Sequence, residues 1–362
     1  GATEMLIQAE ALGLPVEGCS CLAACDLPVA VLKERETLPA VNIQEINDTQ
    51  GDWKKLRPGS ENDAPWQGIV GPLDPEEGTV SLDLTGVPDY SGSALLKSAS
   101  MGADTVIEEI KASGLQGRGG AGFPASIKWN AVRAETFPIK YVVLNADEGE
   151  PGTFKDREVL LRRPDKVIEG LAIAARTVGA SDIYCYLRGE FGGPWKAMEA
   201  AIAIFEEKGL LDGLNIHLHA GHGAYICGEE TALLEALEGK RGMPRNKPPF
   251  PTQHGLWGRP TLIHNVETIA CVPSIMERGG QWFHDLGRVG PGSKLYCVSG
   301  DVVNPGTYEL PLGVTLDELV EIAGGYVGEL KAFSPGGASS GFLPPAERGR
   351  PLDFKSLSEV GA

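Results

Sequence analysis

The sequence has no apolar run long enough to suggest a membrane span. No stretch approaches the roughly 18 consecutive apolar residues that a spanning helix needs. The first residues, GATEMLIQAEALG, also lack the basic and then apolar pattern of a secretory signal. We therefore expect a cytoplasmic protein without direct membrane insertion.

Basic residues are in short supply. The chain has 32 Lys and Arg against 49 Asp and Glu, which gives a formal net charge of -17 at pH 7. Such a charge repels nucleic-acid phosphates and anionic lipid surfaces. We therefore expect no nucleic-acid partner, and an anionic ligand would need a locally basic site.

Cysteine is too sparse and too uneven for a secreted disulfide framework, since the seven cysteines are an odd number in a long chain. Three of them crowd together at Cys19, Cys21 and Cys25. Apolar runs, which are typical of buried thiols, hold the other four: Cys185, Cys227, Cys271 and Cys297.

Three histidines, His217, His219 and His222, invite a metal interpretation because alternate residues of a strand share one face. No nearby cysteine or carboxylate completes a tight ligand set. We expect ordinary strand histidines.

From residue 104 onward, strand and helix patterns alternate. Short apolar runs such as IKYVVLN, DIYCYL and NIHLHA are typical of strands, and LIHNVETIACV, DKVIEGLAIAARTVG and PWKAMEAAIAIFEEKG look helical. This alternation predicts a parallel sheet with covering helices. Beyond residue 285, the segments LYCVSG, TYELP, LDELVEIAGG and KAFSPGG predict strand, strand, helix and strand in a small α+β module.

Residues 114–129, GLQGRGGAGFPASIKW, hold five glycines within nine residues. Glycine costs about 0.5–1 kcal/mol in an element interior, so a cluster suits positive φ or close backbone approach. Gly117, Gly119 and Gly122 satisfy G-x-G-x-x-G, but a helix precedes them and no acidic residue closes a second strand about 20 residues later. The standard dinucleotide fingerprint is therefore rejected, and the P-loop pattern G-x-x-x-x-G-K-S/T is absent.

Two interpretations of the glycine cluster remain. One is a flexible surface loop. The other is an anion site, because successive backbone N–H groups, a following helix N-terminus and the cations Arg118 and Lys128 would together attract a phosphate. The two cations favour the anion site.

Five long, ordered motifs resemble one family. They read GRGGAGFPASIKW, LNADEGEPGTFKDRE, GAYICGEETALLEALEGKRGMPRNKPPFP, GLWGRPTLIHNVET and FSPGGASSGFLP. Together they resemble the flavoprotein subunit that oxidises NADH in respiratory complex I, and its relatives in NAD-reducing hydrogenases and NAD-dependent formate dehydrogenases. The similarity covers about residues 95 to 345.

The resemblance implies an α/β fold: a Rossmann-like FMN-binding domain, a following small ubiquitin-like (β-grasp) α+β domain and a partial thioredoxin-like N-terminal segment. Several domains also suit 362 residues. The expected divisions are 1–35 for the partial [2Fe-2S]-type segment, 36–94 for a linker, 95–284 for the FMN/NADH-binding domain, 285–345 for the ubiquitin-like domain and 346–362 for a tail leading to an absent iron-sulfur helical domain.

The resemblance also implies FMN contacts from the glycine loop, from the acidic loop after a strand and from two later motifs. These residues are Gly117, Arg118, Gly119, Gly120, Lys128, Asn145, Asp147, Glu148, Tyr225, Gly228, Glu229, Ile263, His264, Asn265 and Thr268. The family usually has asparagine where His264 stands.

For NAD, the resemblance implies that Phe123 and Phe250 stack on the adenine. The residues implied to lie near the dinucleotide are Glu150, Glu230 and Lys247. One family phenylalanine, two residues past the tryptophan, is Ala131 here. The acidic loop would orient ribose hydroxyls and discourage a 2′-phosphate, which favours NAD over NADP, although Lys247 or Arg245 could offset it.

Cys21 and Cys25, in CLAACD, resemble the second cysteine pair of the thioredoxin-like [2Fe-2S] protein that accompanies this family, and Cys19 departs from its pattern. Such a cluster takes four ligands. Either the first pair precedes Gly1 in a longer polypeptide, or the segment is a relic whose thiols pack as small hydrophobes.

The implied function is FMN-dependent oxidation of NADH, or the reverse, with electrons passed to iron-sulfur centres on partners or on further parts of the polypeptide. Hydride transfer needs stacked nicotinamide and flavin rings, so no catalytic residue is required of the protein. The implied partners are a [2Fe-2S] thioredoxin-like protein and a catalytic subunit, and the fused front segment favours formate dehydrogenase over complex I or hydrogenase. The alternative is a non-catalytic scaffold without flavin, suggested by Ala131 and the missing cluster ligands.

Overall fold

The computed structural model describes residues 2–19, 21–34, 36–56, 69–70 and 80–362. Its α-helices are α1 Ala2–Ala11, α2 Ile43–Asp48, α3 Ser93–Met101, α4 Ala103–Ala112, α5 Ala125–Ala134, α6 Lys155–Arg162, α7 Pro164–Val178, α8 Gly192–Glu207, α9 Glu230–Leu237, α10 Pro251–His254, α11 Val266–Arg278, α12 Gly280–Asp285, α13 Leu316–Ile322 and α14 Phe354–Ser358. Its strands are β1 Val31–Lys33, β2 Glu36–Leu38, β3 Ile69–Val70, β4 Tyr141–Ala146, β5 Asp182–Leu187, β6 Asn215–Ala220, β7 Thr261–Asn265, β8 Ser293–Val298 and β9 Gly306–Pro311. Within these described ranges, none of the helices has the length and apolar character to cross a bilayer.

A four-stranded parallel sheet with the strand order β6-β5-β4-β7 carries the largest apolar core. Val142, Val143 and Leu144 of β4 are all buried, as expected for a parallel strand that is covered on both faces. β4 comes first in the chain, β5 and β6 follow on one side of it, and β7 joins on the other side. The strand order therefore reverses between β4 and β7, which is where doubly wound sheets bind ligands.

Helices α7 and α11 pack closely against each other beside this sheet. Pro164 fits the first turn of α7, where its missing N–H costs nothing, and Gly179 ends the helix with a φ of 80°. A Cβ on Gly170 would lie 2.3 Å from the Ile269 carbonyl oxygen, so only glycine permits this approach. Most of α7 is buried, which makes it an interior helix of the domain.

A second sheet has the order β3-β9-β8, with β8 and β9 antiparallel and β3 parallel to β9. Tyr308, Leu310 and Leu319 form its core with α13, and we call β3, β8, β9 and α13 the β-grasp module. The expected last strand, KAFSPGG, is reduced to one bridge between Phe333 and Leu343. β3 comes from the expected linker, where two residues are too few for a detectable alternation.

Residues 2–56 form a small unit with its own apolar core, in which α1 and α2 contact each other and β1 and β2 form an antiparallel pair. This order is compatible with the expected partial thioredoxin-like segment. Residues 36–56 differ from the expected linker because Leu38, Val41 and Ile46 join that core. Their elements are three and six residues long, too short to produce a periodic pattern in the sequence.

The residues after 345, expected as a tail, pack on the β-grasp module. Leu352 is buried in its core, where its N–H donates to Val314 O at 2.8 Å. The tail is therefore part of the module as far as α14. The predicted α/β class, with a Rossmann-like parallel sheet followed by a small second sheet, is confirmed.

Candidate cofactor site

A cavity of about 540 Å³ opens at the carboxyl ends of β4 and β7, the switch point of the parallel sheet. Its volume is typical of small-molecule sites, which measure roughly 300–1,000 Å³. The predicted site residues that line it are Gly117, Gly119, Gly120, Phe123, Lys128, Asn145, Gly228, Glu230, Lys247, Phe250, Ile263, His264 and Asn265.

Part of the lining was not predicted from the sequence. These residues are Ala121, Gly122, Ile127, Pro251, Thr252 and Thr261, while Ala131 lines the cavity at the position of the family phenylalanine. Ile127 and Ala131 lie one turn apart on α5, on the face away from the buried Trp129, and Ile127 is 53% exposed. An apolar i, i+4 pair opposite the buried face of a helix is the signal that could have located this wall.

The glycine loop, residues 114–124, forms one wall of the cavity with its backbone. Gly120 has a φ of 145° and Gly122 a φ of 64°, which residues with side chains rarely adopt. A Cβ on Gly119 would lie 2.9 Å from Asn265 Cβ, whereas one on Gly120 would meet no described atom within 4 Å. The loop therefore needs glycine for its path and for its packing, and it leaves open space beside Gly120.

Asn265, at the end of β7, is held by buried charged groups. Its Nδ2 donates to Asp156 Oδ2 at 2.5 Å, and its Oδ1 accepts from Lys155 Nζ at 3.3 Å. Lys155 also pairs with Glu267 Oε2 at 3.0 Å. Burial disfavours the Lys155 ammonium, but Asp156, Glu267 and Glu148 outweigh burial and raise its pKa. The amide of Asn265 therefore has one fixed orientation.

The acidic loop after β4 begins with two buried carboxyl groups that do not line the cavity. Glu148 accepts from the N–H groups of Asp156 and Arg157 at 3.0 and 3.1 Å, at the start of α6. Its own carbonyl accepts from Arg188 Nη1. Burial raises the pKa of Asp147 and that of Glu148 to about 7. Glu148 therefore orders the loop, and neither carboxyl group presents charge to the cavity lining.

Glu150 and Tyr225 also lie outside the residues that line the cavity. Glu150 accepts from Tyr225 Oη at 2.5 Å and from the N–H of Ser339 at 2.7 Å. The hydrogen bond to Glu150 raises the pKa of Tyr225. Ser339 belongs to the FSPGGASSGF segment, so these contacts join the acidic loop to the chain that follows the β-grasp helix.

Ion pairs form a second wall of the cavity, which we call the charged wall. Glu230 accepts from Lys128 Nζ at 3.0 Å and from Lys247 Nζ at 3.1 Å, and Lys247 also bonds Glu229 Oε1 at 3.0 Å. Burial alone would raise the pKa of Glu230, but Lys128 and Lys247 hold it below its usual range. Glu229 stands behind the lining. Two carboxylates and two ammonium groups balance, so this wall carries no net charge.

Arg118 does not add a charge to the cavity lining, contrary to the expected anion site with two cations. Its backbone N–H donates to Thr268 Oγ1 at 2.8 Å, and its Nη2 donates to Pro291 O at 2.9 Å. Arg118 and Thr268 are both buried and stand outside the lining. Of the two expected cations, Lys128 lines the cavity.

His264 and Trp129 are paired in the protein interior. Trp129 Nε1 donates to His264 Nε2 at 2.9 Å. Burial lowers the pKa of His264 to about 3, so the imidazole is neutral near pH 7. The histidine therefore suits its place in the lining as a hydrogen-bond acceptor for tryptophan.

Cys21 and Cys25 place their sulfur atoms 3.6 Å apart, and both residues are half-buried. The carbonyl of Cys21 accepts from Arg188 Nη2 at 2.5 Å, which sets the pair beside the acidic loop. In the part of the chain that the structure describes, no group of three or more His, Cys, Asp or Glu could hold a metal ion. The cluster-ligand interpretation and the relic interpretation both remain open.

The strand histidines pack on tyrosines. His217 stacks on Tyr184 with ring centroids 4.6 Å apart and approaches Asp182 at 3.0 Å, and His219 stacks on Tyr186 at 5.4 Å. These contacts account for both side chains without a metal.

Two family models match the chain: the Nuo51 FMN-binding domain over residues 110–274 and the SLBB domain over residues 295–343. The F 2 subunit of NADH-quinone oxidoreductase in Rhizobium meliloti (strain 1021) is 51% identical over 271 residues, which cover 72% of this chain and 64% of that protein. The F subunit of the Rickettsia typhi (strain ATCC VR-144 / Wilmington) enzyme is 48% identical over 286 residues, which cover 75% of this chain and 67% of that protein. The chain thus spans about two thirds of the length of these relatives.

Two crystal structures of an NAD+-reducing [NiFe]-hydrogenase are also similar. The air-oxidised state has a TM-score of 0.86 at 33% identity and covers 99% of this chain and 64% of that chain. The H2-reduced state has a TM-score of 0.83 at 35% identity, and the match covers 94% of this chain and 60% of the hydrogenase chain. The bare backbone at Gly119 and Gly120, at a switch-point cavity, fits a flavin nucleotide. The chain belongs to the Nuo51 family of FMN-binding flavoproteins, which it shares with the F subunits of NADH-quinone oxidoreductase.

Proposed function

We propose that the chain is the NADH-oxidising flavin module of a larger redox complex that moves electrons between NAD(H) and iron-sulfur centres. The observation that carries this proposal is the switch-point cavity, which is bounded by a loop of bare backbone and has Phe123 and Phe250 in its lining. FMN, when bound, accepts two electrons as a hydride and releases them singly. The protein's part is to bind both nucleotides and hold them in register.

The glycine loop is the proposed cradle for the phosphate and ribityl chain of FMN. Its backbone N–H groups supply donors without side chains in the way, and Lys128 supplies a positive charge. Asn145 Nδ2 donates to Gly228 O at 2.9 Å, which joins two parts of the lining. Behind this lining stand the remaining proposed FMN residues, which we assign to positioning it: Arg118, Asp147, Glu148, Tyr225, Glu229 and Thr268.

The dinucleotide is proposed to enter over the two phenylalanines. Phe123 and Phe250 are 47% and 52% exposed, and an adenine ring stacked on them would cover this apolar surface. Glu230 and Lys247 are proposed to meet the dinucleotide directly, and Glu150 to support it through the acidic loop. Ala131 leaves the adenine with fewer aromatic contacts than the family usually provides.

NAD is the proposed substrate in preference to NADP. Arg245 donates to Glu235 at 2.5 Å, to Glu238 at 2.7 Å and to Gly255 O at 2.9 Å, so its guanidinium is engaged away from the cavity lining. The cation left for a 2′-phosphate is Lys247 of the lining. Because Lys247 already pairs with Glu229 and Glu230, it offers no spare charge to the phosphate, which disfavours NADP.

Anaerobic titration of the FMN-loaded protein tests this proposal. NADH should bleach the visible flavin absorbance, and NADPH at the same concentration should do so much more slowly. A protein that folds but takes up no FMN would contradict the proposal and support the scaffold interpretation.

The complex that contains the chain is proposed to be an NAD-dependent formate dehydrogenase, with cytoplasmic location, a [2Fe-2S] thioredoxin-like partner and a catalytic subunit. The unit of residues 2–56 fused before the flavin domain supports it over complex I. The second candidate is an NAD-reducing hydrogenase or complex I, because the hydrogenase structure covers 99% of the chain. Isolation of the native complex decides between them: NAD reduction with formate supports the first, whereas NAD reduction with H2, or a complex with quinone activity alone, supports the second.

A further inference from the structure

The glycine loop is closed by its own backbone at the base. Gly117 N donates to Phe123 O and Ala125 N donates to Leu115 O, both at 2.9 Å. Between these bonds, the segment is almost free of side chains. Glycine has more conformational freedom to lose than any other residue, so an unsupported loop of this kind would sample many shapes.

One support for this loop comes through Arg118. The side chain leaves the loop away from the cavity, and its Nη2 donates to Pro291 O, two residues before β8 begins at Ser293. Gly292, with a φ of 84°, would place a Cβ 3.1 Å from the same nitrogen. Arg118 is 2% exposed, so the guanidinium is enclosed where the flavin domain meets the β-grasp module.

A second support comes from the far end of the chain. A Cβ on Gly122 would lie 3.1 Å from ring atoms of Phe354, so the ring lies directly against the loop backbone. Lys294 Nζ, from β8, lies 5.9 Å from the centroid of the same ring. Phe354 does not line the cavity, but Gly122 does. The ring therefore touches the loop from behind the lining.

Phe354 is held firmly to the β-grasp module. It is the first residue of α14, and the side chain of Asp353 caps this helix by accepting from Lys355 N at 2.9 Å. Leu352, which precedes Asp353, donates its N–H to Val314 O, and its carbonyl accepts from Tyr296 Oη at 3.0 Å. Tyr296 lies on β8. Contacts therefore run without a break from the core of the module to Gly122.

We infer that the β-grasp module positions the glycine loop for FMN, with Arg118 and Phe354 as the positioning residues. Neither side chain lines the cavity: the Arg118 side chain ties the loop to Pro291, and the Phe354 ring touches the loop at Gly122. The inference rests on the proposed FMN site. A loop held in its binding shape before FMN arrives loses less conformational freedom on binding, which raises affinity without any contact to the nucleotide.

The test compares two alanine variants of α14 in the full chain. Phe354→Ala removes the ring that touches Gly122, whereas Leu357→Ala trims a side chain of the same helix that packs on the β-grasp core. The Kd for FMN, from quenching of FMN fluorescence, should rise roughly tenfold in Phe354→Ala. In Leu357→Ala it should stay at the wild-type value while the melting temperature falls. Phe354→Tyr should restore the wild-type Kd.

Hydrogen exchange of the FMN-free protein provides the second measurement. Amides of residues 117–123 should exchange faster in Phe354→Ala and at the wild-type rate in Leu357→Ala. Arg118→Lys, which keeps the charge and loses the planar fork, should act like Phe354→Ala and serves if that variant does not fold.

The outcomes separate this inference from the proposed function. Wild-type FMN affinity in Phe354→Ala and in Arg118→Lys would overturn the inference and leave the flavin function standing. Equal losses in Phe354→Ala and Leu357→Ala would overturn it as well, because the effect would then follow the stability of α14. A wild-type protein that binds no FMN would overturn both.

Discussion

The two walls of the cavity are built by opposite means. The glycine wall is bare backbone, fixed by close contacts at Gly119 and Gly122. The charged wall consists of Lys128, Glu230 and Lys247 with Glu229 behind them, and these side chains are 24% to 32% exposed. Packed backbone cannot adapt to an added atom, whereas ion pairs near water exchange partners at little cost. We therefore expect the glycine wall, with Lys128 beside it, to govern FMN retention and the Glu230–Lys247 pair of the charged wall to adjust affinity for the dinucleotide.

The largest effect is expected at Gly120. Valine there must adopt a φ of 145° and would project into the open space beside the loop. Gly120→Val should raise the Kd for FMN by roughly 100-fold or more, measured by fluorescence quenching.

Gly325→Val is the matched control, because Gly325 also has a positive φ, 106°, and open space around it, but lies in the β-grasp module. It should lower the melting temperature and leave FMN affinity intact. Unchanged FMN affinity in Gly120→Val would contradict the assignment of the glycine wall.

The next largest effect is expected at the buried hydrogen-bonded pair of Trp129 and His264. His264→Ala leaves Trp129 Nε1 without its acceptor and opens a void, so the free energy of unfolding should fall by about 2 kcal/mol in urea denaturation. His264→Gln, which offers an amide oxygen to the same N–H, should lose less. Equal losses in the two variants would mean that the hydrogen bond contributes nothing.

The buried carboxyl group of Asp147 should give a smaller, pH-dependent effect. Because burial raises its folded pKa to about 7, the folded chain binds a proton more tightly than the unfolded chain does. The carboxylate therefore costs stability increasingly as the pH rises from about 4 to 7, and by a constant amount above 7. Asp147→Asn should be more stable than the wild type by about 1–2 kcal/mol at pH 8, with the advantage shrinking toward pH 4.

Asp182→Asn should change stability in the opposite direction and be less stable than the wild type at neutral pH. Hydrogen bonding to His217 lowers the pKa of Asp182, so its carboxylate stabilises the fold above its ordinary pKa, and this contribution is lost as the pH falls. Melting temperatures from about pH 4 to pH 8 for Asp147→Asn, and from about pH 2 to pH 6 for Asp182→Asn, check the two variants. The same slope in the two variants would contradict the assignment.

The smallest effect is expected on the charged wall. Lys247→Gln should raise the KM for NADH about two- to fivefold, leave the Kd for FMN unchanged and weaken the salt dependence of KM. Lys240→Gln is the control, because Lys240 is exposed and paired with Glu238 outside the lining. A loss of FMN in Lys247→Gln would remove the distinction between the two walls.

Much of the site could be predicted because its residues stand in continuous motifs. The loop around Gly119 and the strand end at Asn145 line the cavity as expected, since strand and loop patterns fix where the backbone goes. Asn265 also lines it, but the helix expected over LIHNVETIACV was wrong in its first part, because Leu262 to Asn265 belong to β7 and the helix begins at Val266. The direction of Arg118 could not be predicted, because its partner Pro291 lies 173 residues away and offers only a carbonyl. The contacts of Glu150 could not be predicted for the same reason, because its partner Ser339 lies 189 residues later in the chain.

The fold, like the site, has a part that the sequence predicts and a part that it does not. The parallel sheet follows from six-residue strands and long helices whose apolar patterns are visible in the sequence. The sequence indicates a segment over residues 1–35 but a linker over residues 36–56, because the short elements of residues 36–56 form a core only together with that segment. Local pattern reports local structure, and contacts between distant segments leave little trace in a single sequence.

The strand pair β3–β9 has a consequence for the order of synthesis. Ile69 pairs with Thr307, so one edge of the second sheet is made before the flavin domain and its neighbour is made after it. Glu309, also on β9, accepts from the N–H groups of Ser81 and Leu82. A ribosome must therefore translate the whole Rossmann-like sheet before Ile69, Ser81 and Leu82 can pair with β9.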